Sequence, residues 1–129
     1  MTEWKVSFVR MNDVRNGSGA DMAKLLSGLG LCVKAGKVIF GVPMICEAMK
    51  KSQDNGKNAM NFPLLVLEAG DTSENTHKKI SDKCKFYRVE HIRLCCGGEQ
   101  LAAAVGKSSA LGAVAVTDMG MCLLIKKYI

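Results

Sequence analysis

The side chains best suited to chemistry in this 129-residue chain are six cysteines and two histidines: Cys32, Cys46, Cys84, Cys95, Cys96, Cys122, His77 and His91. Thiolates and imidazoles ligate metals or act as nucleophile and base, but zinc sites and redox dithiols need short recurring spacings. No pair here is spaced CxxC, and the adjacent Cys95 and Cys96 suit neither a zinc knuckle nor a redox motif. The two histidines form no local ligand pair. The thiols are therefore expected to be small core hydrophobes in a reducing compartment, with no metal and no cofactor. A nucleophilic Cys95 or Cys96 would lack a histidine placed by sequence to activate it. Asp71 and Glu74 flank a predicted helix start, where exposed N–H groups stabilise carboxylates, so capping accounts for them better than acid–base work. The chain is expected not to be an enzyme.

Two phosphate-binding patterns also fail. Gly106-Lys107-Ser108 ends like a P-loop, yet the required earlier glycine is Leu101, and the tripeptide follows a helix instead of a strand. Gly28-Leu29-Gly30 has Val33 where a dinucleotide fingerprint needs its third glycine, and it lies inside a helical pattern.

The elements that must position these residues alternate in type. Residues 1–20 lack sustained periodicity and end in Asn16-Gly17-Ser18-Gly19-Ala20, which reads as a flexible extension. Within it, residues 4–9 alternate like an edge strand, and the lone Trp4 makes no stacking platform by itself. The domain is expected over 21–129, with Asp21 capping a first helix. Leu25, Leu26, Leu29 and Val33 recur at helical spacing, and Gly36 ends that helix. Val38-Ile39-Phe40 reads as a short strand. Gly41 opens a second helix with Pro43 in its first turn, Ile45, Ala48 and Met49 inward, and a polar loop from Lys50 to Asn61. Phe62 to Leu67 is an apolar run of central-strand type. Thr72 or Ser73 caps a third helix with Thr76, Ile80, Cys84 and Tyr87 inside and Lys78, Lys79, Lys83 and Lys85 outside. Residues 91–95 read as a strand, Gly98 to Val105 as a helix and Ala113 to Thr117 as a strand. Asp118 caps a last helix running toward Tyr128. Helices between strands in a chain of this length imply one α/β domain, an α/β/α sandwich.

Composition narrows the function. A chain of 13.9 kDa with 48% hydrophobic and 23% charged residues can bury its own core without staples. No apolar run reaches the ~20 residues of a membrane helix, and the start lacks the order of a signal peptide, so a cytoplasmic location is expected. The net charge of +6 favours a polyanionic partner, because cations near phosphates release condensed counterions. Aromatic residues at 5% argue against a sheet that stacks bases.

Several stretches together resemble a known family. Ala35-Gly36-Lys37-Val38-Ile39-Phe40-Gly41, followed by a helix containing Glu47-Ala48-Met49, is similar to the RNA-binding segment of the kink-turn-binding ribosomal-protein family of archaeal and eukaryotic large-subunit type. Residues 71–80, 82–87 and 105–107, then Ala113-Val114-Ala115-Val116-Thr117-Asp118, continue the match. The set resembles the bacterial YlxQ-like branch most closely and covers about residues 22–128. The resemblance implies a three-layer α/β/α sandwich with a four-stranded mixed sheet. It implies a non-catalytic protein that binds a sharply bent structured RNA, ribosomal or other non-coding, with a ribosome-associated protein as a further partner. It places RNA contacts on Gly36, Lys37, Gly41, Val42, Pro43, Met44 and Glu47, and on the loop of Lys107, Ser108 and Ser109. Many family members carry Asn-Glu early in this helix and a lysine three residues later, where this chain has Pro43, Met44 and Glu47. Kink-turn specificity is therefore expected to be weakened. The alternative is a protein-interaction module on the same fold.

Overall fold

The computed structural model describes residues 19–55 and 63–128. The elements follow as α1 (Gly19–Lys34), β1 (Val38–Phe40), α2 (Val42–Asn55), β2 (Leu65–Glu68), α3 (Glu74–Tyr87), β3 (Glu90–Arg93), α4 (Gly98–Ala104), β4 (Ala113–Val116) and α5 (Met119–Lys126). The strands form one mixed sheet in the order β1-β4-β2-β3. β4 runs antiparallel to both β1 and β2, and β2 runs parallel to β3.

β2 and β4 are buried at every position, as central strands covered on both faces must be. Side-chain alternation divides the interior into two layers. Leu25, Leu29 and Cys32 of α1 and Leu101 of α4 pack with Cys122 and Ile125 of α5 on Leu65, Leu67, Val114 and Val116. On the other face Ile45 and Met49 of α2 and Ile80 and Cys84 of α3 pack on Val66, Ala113 and Ala115. The result is the expected three-layer α/β sandwich.

The element boundaries shift in instructive ways. Helix α1 starts at Gly19, so Asp21 lies within the helix and is not its cap. Helix α2 runs on to Asn55, through the first half of the expected loop, because its Lys and Gln residues favour helix and Glu47 pairs with Lys51 one turn on. The expected strands over 62–67 and 91–95 are Leu65–Glu68 and Glu90–Arg93. Ser73 caps α3 by accepting from the Thr76 N–H at 3.2 Å, and Asp118 caps α5 by accepting from Met121 N–H at 3.1 Å. Asp71 caps a different helix from its neighbour's: its carboxylate accepts from the Gly98 N–H at 3.0 Å, at the start of α4. The expectations for residues 1–18 and 56–62 fall outside the described residues.

Three helices end in the same paired-bond motif, in which the residue after the cap turns left-handed and two N–H groups reach back to the last turn. Helix α1 does so with Gly36 (φ 72), bonding Gly36 N to Val33 O and Lys37 N to Cys32 O at 2.9 and 3.0 Å. Gly106 (φ 78) ends α4 likewise, with Lys107 N on Ala102 O at 2.9 Å. At the end of α3 the left-handed residue is Arg88, with φ 58 and ψ 46. A side chain costs about 1 kcal/mol there, so Arg88→Gly is expected to raise the thermal midpoint by a few degrees, as read by calorimetry. An unchanged or lowered midpoint would mean that the arginine side chain offsets its own backbone strain.

Candidate nucleic-acid interface

The register gathers four strand ends at one end of the sheet: Phe40 opposite Val114, Glu68 opposite Ala113, and Glu68 beside Arg93. Helix α2 starts there. Gly41 has φ 86, a region that side chains rarely adopt. Its N–H donates to Ala113 O at 3.0 Å, and its carbonyl accepts from the Ile45 N–H at 3.1 Å. The hinge is thus tied to β4 and caps α2 at once. The first-turn N–H groups of Val42 and Met44 have no intrahelical acceptor, and Pro43 has no N–H to satisfy. No acidic residue lies in this first turn, so its partial positive charge stands uncompensated. Pro43, Met44 and Glu47 face outward, with Met44 56% exposed. Val42 is half-buried and packs on the inner layer with Ile45.

The loop after α4 passes against this helix start. A Cβ on Gly112 would lie 3.3 Å from Val42 Cγ2, so a side chain there would press on the start of α2. Leu111 N–H donates to Gly98 O at 3.1 Å, which anchors the far end of the loop. Between the anchors, Lys107, Ser108 and Ser109 are exposed. Lys107 Nζ sits 4.4 Å from the centroid of the Phe40 ring, a cation–π contact worth ~0.5–1 kcal/mol at such a site. Lys37 is exposed at the other end of β1, roughly 10 Å of strand away, where its carbonyl accepts from the Thr117 N–H at 3.0 Å. The structure therefore brings Lys107 to Phe40, the residue before Gly41, with Ser108 and Ser109 following it in the same exposed loop, and sets Gly36 and Lys37 apart along the edge strand. Glu47 points outward and pairs with Lys51 at 3.1 Å.

At the same sheet end, on the α2–α3 face, lies a cluster that local spacing did not reveal. Glu68, fully buried, accepts from His91 Nε2 at 2.7 Å and from His77 Nδ1 at 2.8 Å. A carboxylate only accepts, so both rings carry their proton on the atom facing Glu68. Thr72 Oγ1 donates to the second carboxylate oxygen, and Arg93 Nε lies 3.8 Å from it without a hydrogen bond of its own. Burial pushes the Glu68 carboxyl upward, but hydrogen bonds from His91, Thr72 and His77 outweigh it and hold the group below the ordinary carboxylate range. The signal in the sequence was a glutamate closing an apolar strand, followed by His91 and Arg93 on one face of the next.

Four of the cysteines are buried, as expected of core hydrophobes, whereas Cys46 is half-buried and Cys95 is exposed. Burial above all pushes the Cys84 thiol up to about 12 and those of Cys96 and Cys122 up to about 11. Cys95 should therefore be the first thiol modified by a disulfide reagent on native reduced protein, with the buried four reacting only after denaturation. Peptide mapping of the labelled thiols checks this, and early labelling of Cys84 would contradict the packing.

No protein-family model matches the chain. The chain is 33% identical over 92 residues to the RNA-binding protein YlxQ of Bacillus subtilis strain 168, covering 71% of this chain and 81% of that protein. It is 27% identical over 106 residues to the RNA-binding protein YlxQ of Enterococcus faecium, covering 82% and 91%. A solved structure of a Bacillus halodurans C protein of unknown function superposes with a TM-score of 0.65 at 28% identity, covering 81% of this chain and 98% of that one. The Giardia lamblia 15.5kD RNA binding protein shares the fold at a TM-score of 0.60 and 13% identity, covering 87% of each chain. With a third of its residues identical to the Bacillus subtilis protein across most of that protein's length, the chain belongs to the YlxQ family.

Proposed function

We propose that this chain is a non-catalytic protein that binds structured RNA in the cytoplasm, using the start of α2 and the Lys107 loop as its contact surface. One observation carries the reading: the left-handed Gly41 presents an uncompensated helix N-terminus directly beside an exposed loop whose Lys107 lies on Phe40. Helix starts and lysines suit phosphate oxygens, and structured RNA is recognised mainly at irregular loops and bulges. The YlxQ relatives, named as RNA-binding proteins, support the same partner class. Pro43 and Met44 offer no side-chain acceptor to a guanine edge, and Glu47 adds negative charge beside the site. The chain therefore holds RNA mainly by charge and shape, with weak preference for a kink-turn over another bent loop. A ribosomal or other non-coding RNA fits this surface.

The test is a salt titration of affinity for a kink-turn hairpin and for a matched hairpin with a plain internal loop. Comparable affinities that fall steeply with salt are expected. Strong preference for the kink-turn would overturn the charge-and-shape reading. Absence of binding to either RNA at low salt would overturn RNA binding itself and leave the exposed Pro43–Met44 surface to a protein partner.

A further inference from the structure

We propose that Glu68, His77 and His91 form a binding site for a divalent transition-metal ion, Zn²⁺ foremost. Their three ligand atoms, one carboxylate oxygen and two imidazole nitrogens, lie within 4.8 Å of one another. Three different elements supply them: the end of β2, the first turns of α3 and the middle of β3. Two imidazoles and one carboxylate are the donor set of a three-ligand zinc site, whereas Ca²⁺ and Mg²⁺ favour all-oxygen shells.

Binding requires each imidazole to present a lone pair where it now presents an N–H, so a neutral ring moves that proton to its other nitrogen and a charged ring releases it to solvent as the ion enters. Tetrahedral ligands at about 2.0–2.1 Å stand roughly 3.3 Å apart. The present Glu68–His91 and Glu68–His77 separations are 2.7 and 2.8 Å, and all three ligand atoms lie within 4.8 Å of one another, so side-chain rotations that open the two shorter edges and bring the imidazoles toward a common centre would admit the ion. Outer contacts that orient ligands are already in place. Thr72 donates to one oxygen of Glu68, His91 lies on the other, and His77 Nδ1 lies 2.8 and 3.0 Å from the two. His91 and Glu68 are buried, while the His77 side chain is 32% exposed. That side gives the ion an entry path from solvent, from which a water would complete its shell. The Arg93 guanidinium opposes a dication, but hydrogen bonds to Gly70 O at 3.1 Å and Thr72 O at 3.4 Å hold its Nη2 on the backbone. Binding is therefore reversible and weaker than at an all-cysteine structural site. The sequence expectation of a metal-free protein rested on local spacing, which does not register ligands drawn from three elements.

The test is titration of the full, reduced protein with Co²⁺ under visible absorption, followed by competition with Zn²⁺. One equivalent with a tetrahedral or five-coordinate visible band, without thiolate charge-transfer absorption, is expected. His77→Ala, at the exposed side of the cluster, should weaken Co²⁺ binding at least about tenfold while circular dichroism shows a native fold. His91→Gln should do the same, and Zn²⁺ should raise the thermal midpoint of wild type but not of His77→Ala. Failure of wild type to saturate with Co²⁺, or equal affinity in wild type and folded His77→Ala, would overturn the site. So would thiolate absorption that vanishes in Cys95→Ser.

Discussion

Glu68→Ala is expected to lower the unfolding free energy by about 3 kcal/mol or more, the largest effect of any single substitution considered for this chain. The carboxylate is fully buried and accepts hydrogen bonds from His77, His91 and Thr72. Removing it strands the His91 N–H in the layer between the sheet and α3, and an unsatisfied buried donor costs ~1–3 kcal/mol alone. A cavity adds to that. It also leaves Arg93, whose Nε has no other acceptor, facing two imidazoles. His77 and Arg93 are partly solvated, which keeps the expected cost at the lower end of the range for broken buried pairs. Glu68→Gln preserves the shape and one acceptor oxygen, so it should cost about half as much. Urea unfolding of the three proteins measures both numbers. A loss below about 1 kcal/mol for the alanine variant would show that the cluster contributes little to stability.

Reversing charge at the proposed interface should give the largest functional effect. Lys37→Glu combined with Lys107→Glu is expected to weaken RNA affinity by tenfold or more at low salt. The plot of log affinity against log salt should flatten by roughly 1.5, since two phosphate contacts each contribute ~0.7–0.9 to its slope. Lys107 carries more of the loss, because it stands beside the Gly41 helix start and Lys37 at the opposite end of β1. Both are exposed, so the fold should persist. Lys79→Glu, on the exposed face of α3, is the control and should change little. Replacing Pro43→Asn, Met44→Glu and Glu47→Lys together should raise preference for a kink-turn, because acceptors would then face the guanine edges and a cation the backbone. Unchanged affinity in the double reversal would move the contact surface elsewhere on the domain.

Much of the fold was legible in the residues alone, because its determinants are local. Apolar periods of 3.6 in residues 25–33 and continuous apolar runs at 64–67 and 113–116 specify helices and buried strands wherever they fold. Gly36 and Gly41 marked helix boundaries, since left-handed backbone has few other tenants, whereas the same role of Gly106 emerged only from the structure. The caps Ser73 and Asp118 follow from side chains that reach N–H groups three residues on. The extent of α2 was misjudged because a polar stretch reads alike as loop or as solvated helix face until tertiary packing anchors it. The candidate RNA surface was found by resemblance, yet the stacking of Lys107 on Phe40 and the distance of Lys37 from Gly41 required the sheet order. Glu68, His77 and His91 were individually unremarkable, because each comes from a different element. Only parallel pairing of β2 with β3 and the packing of α3 over them place two histidines against one buried carboxylate. Local propensity determines elements over a few residues, whereas a site assembled across strands exists only once burial has chosen their neighbours.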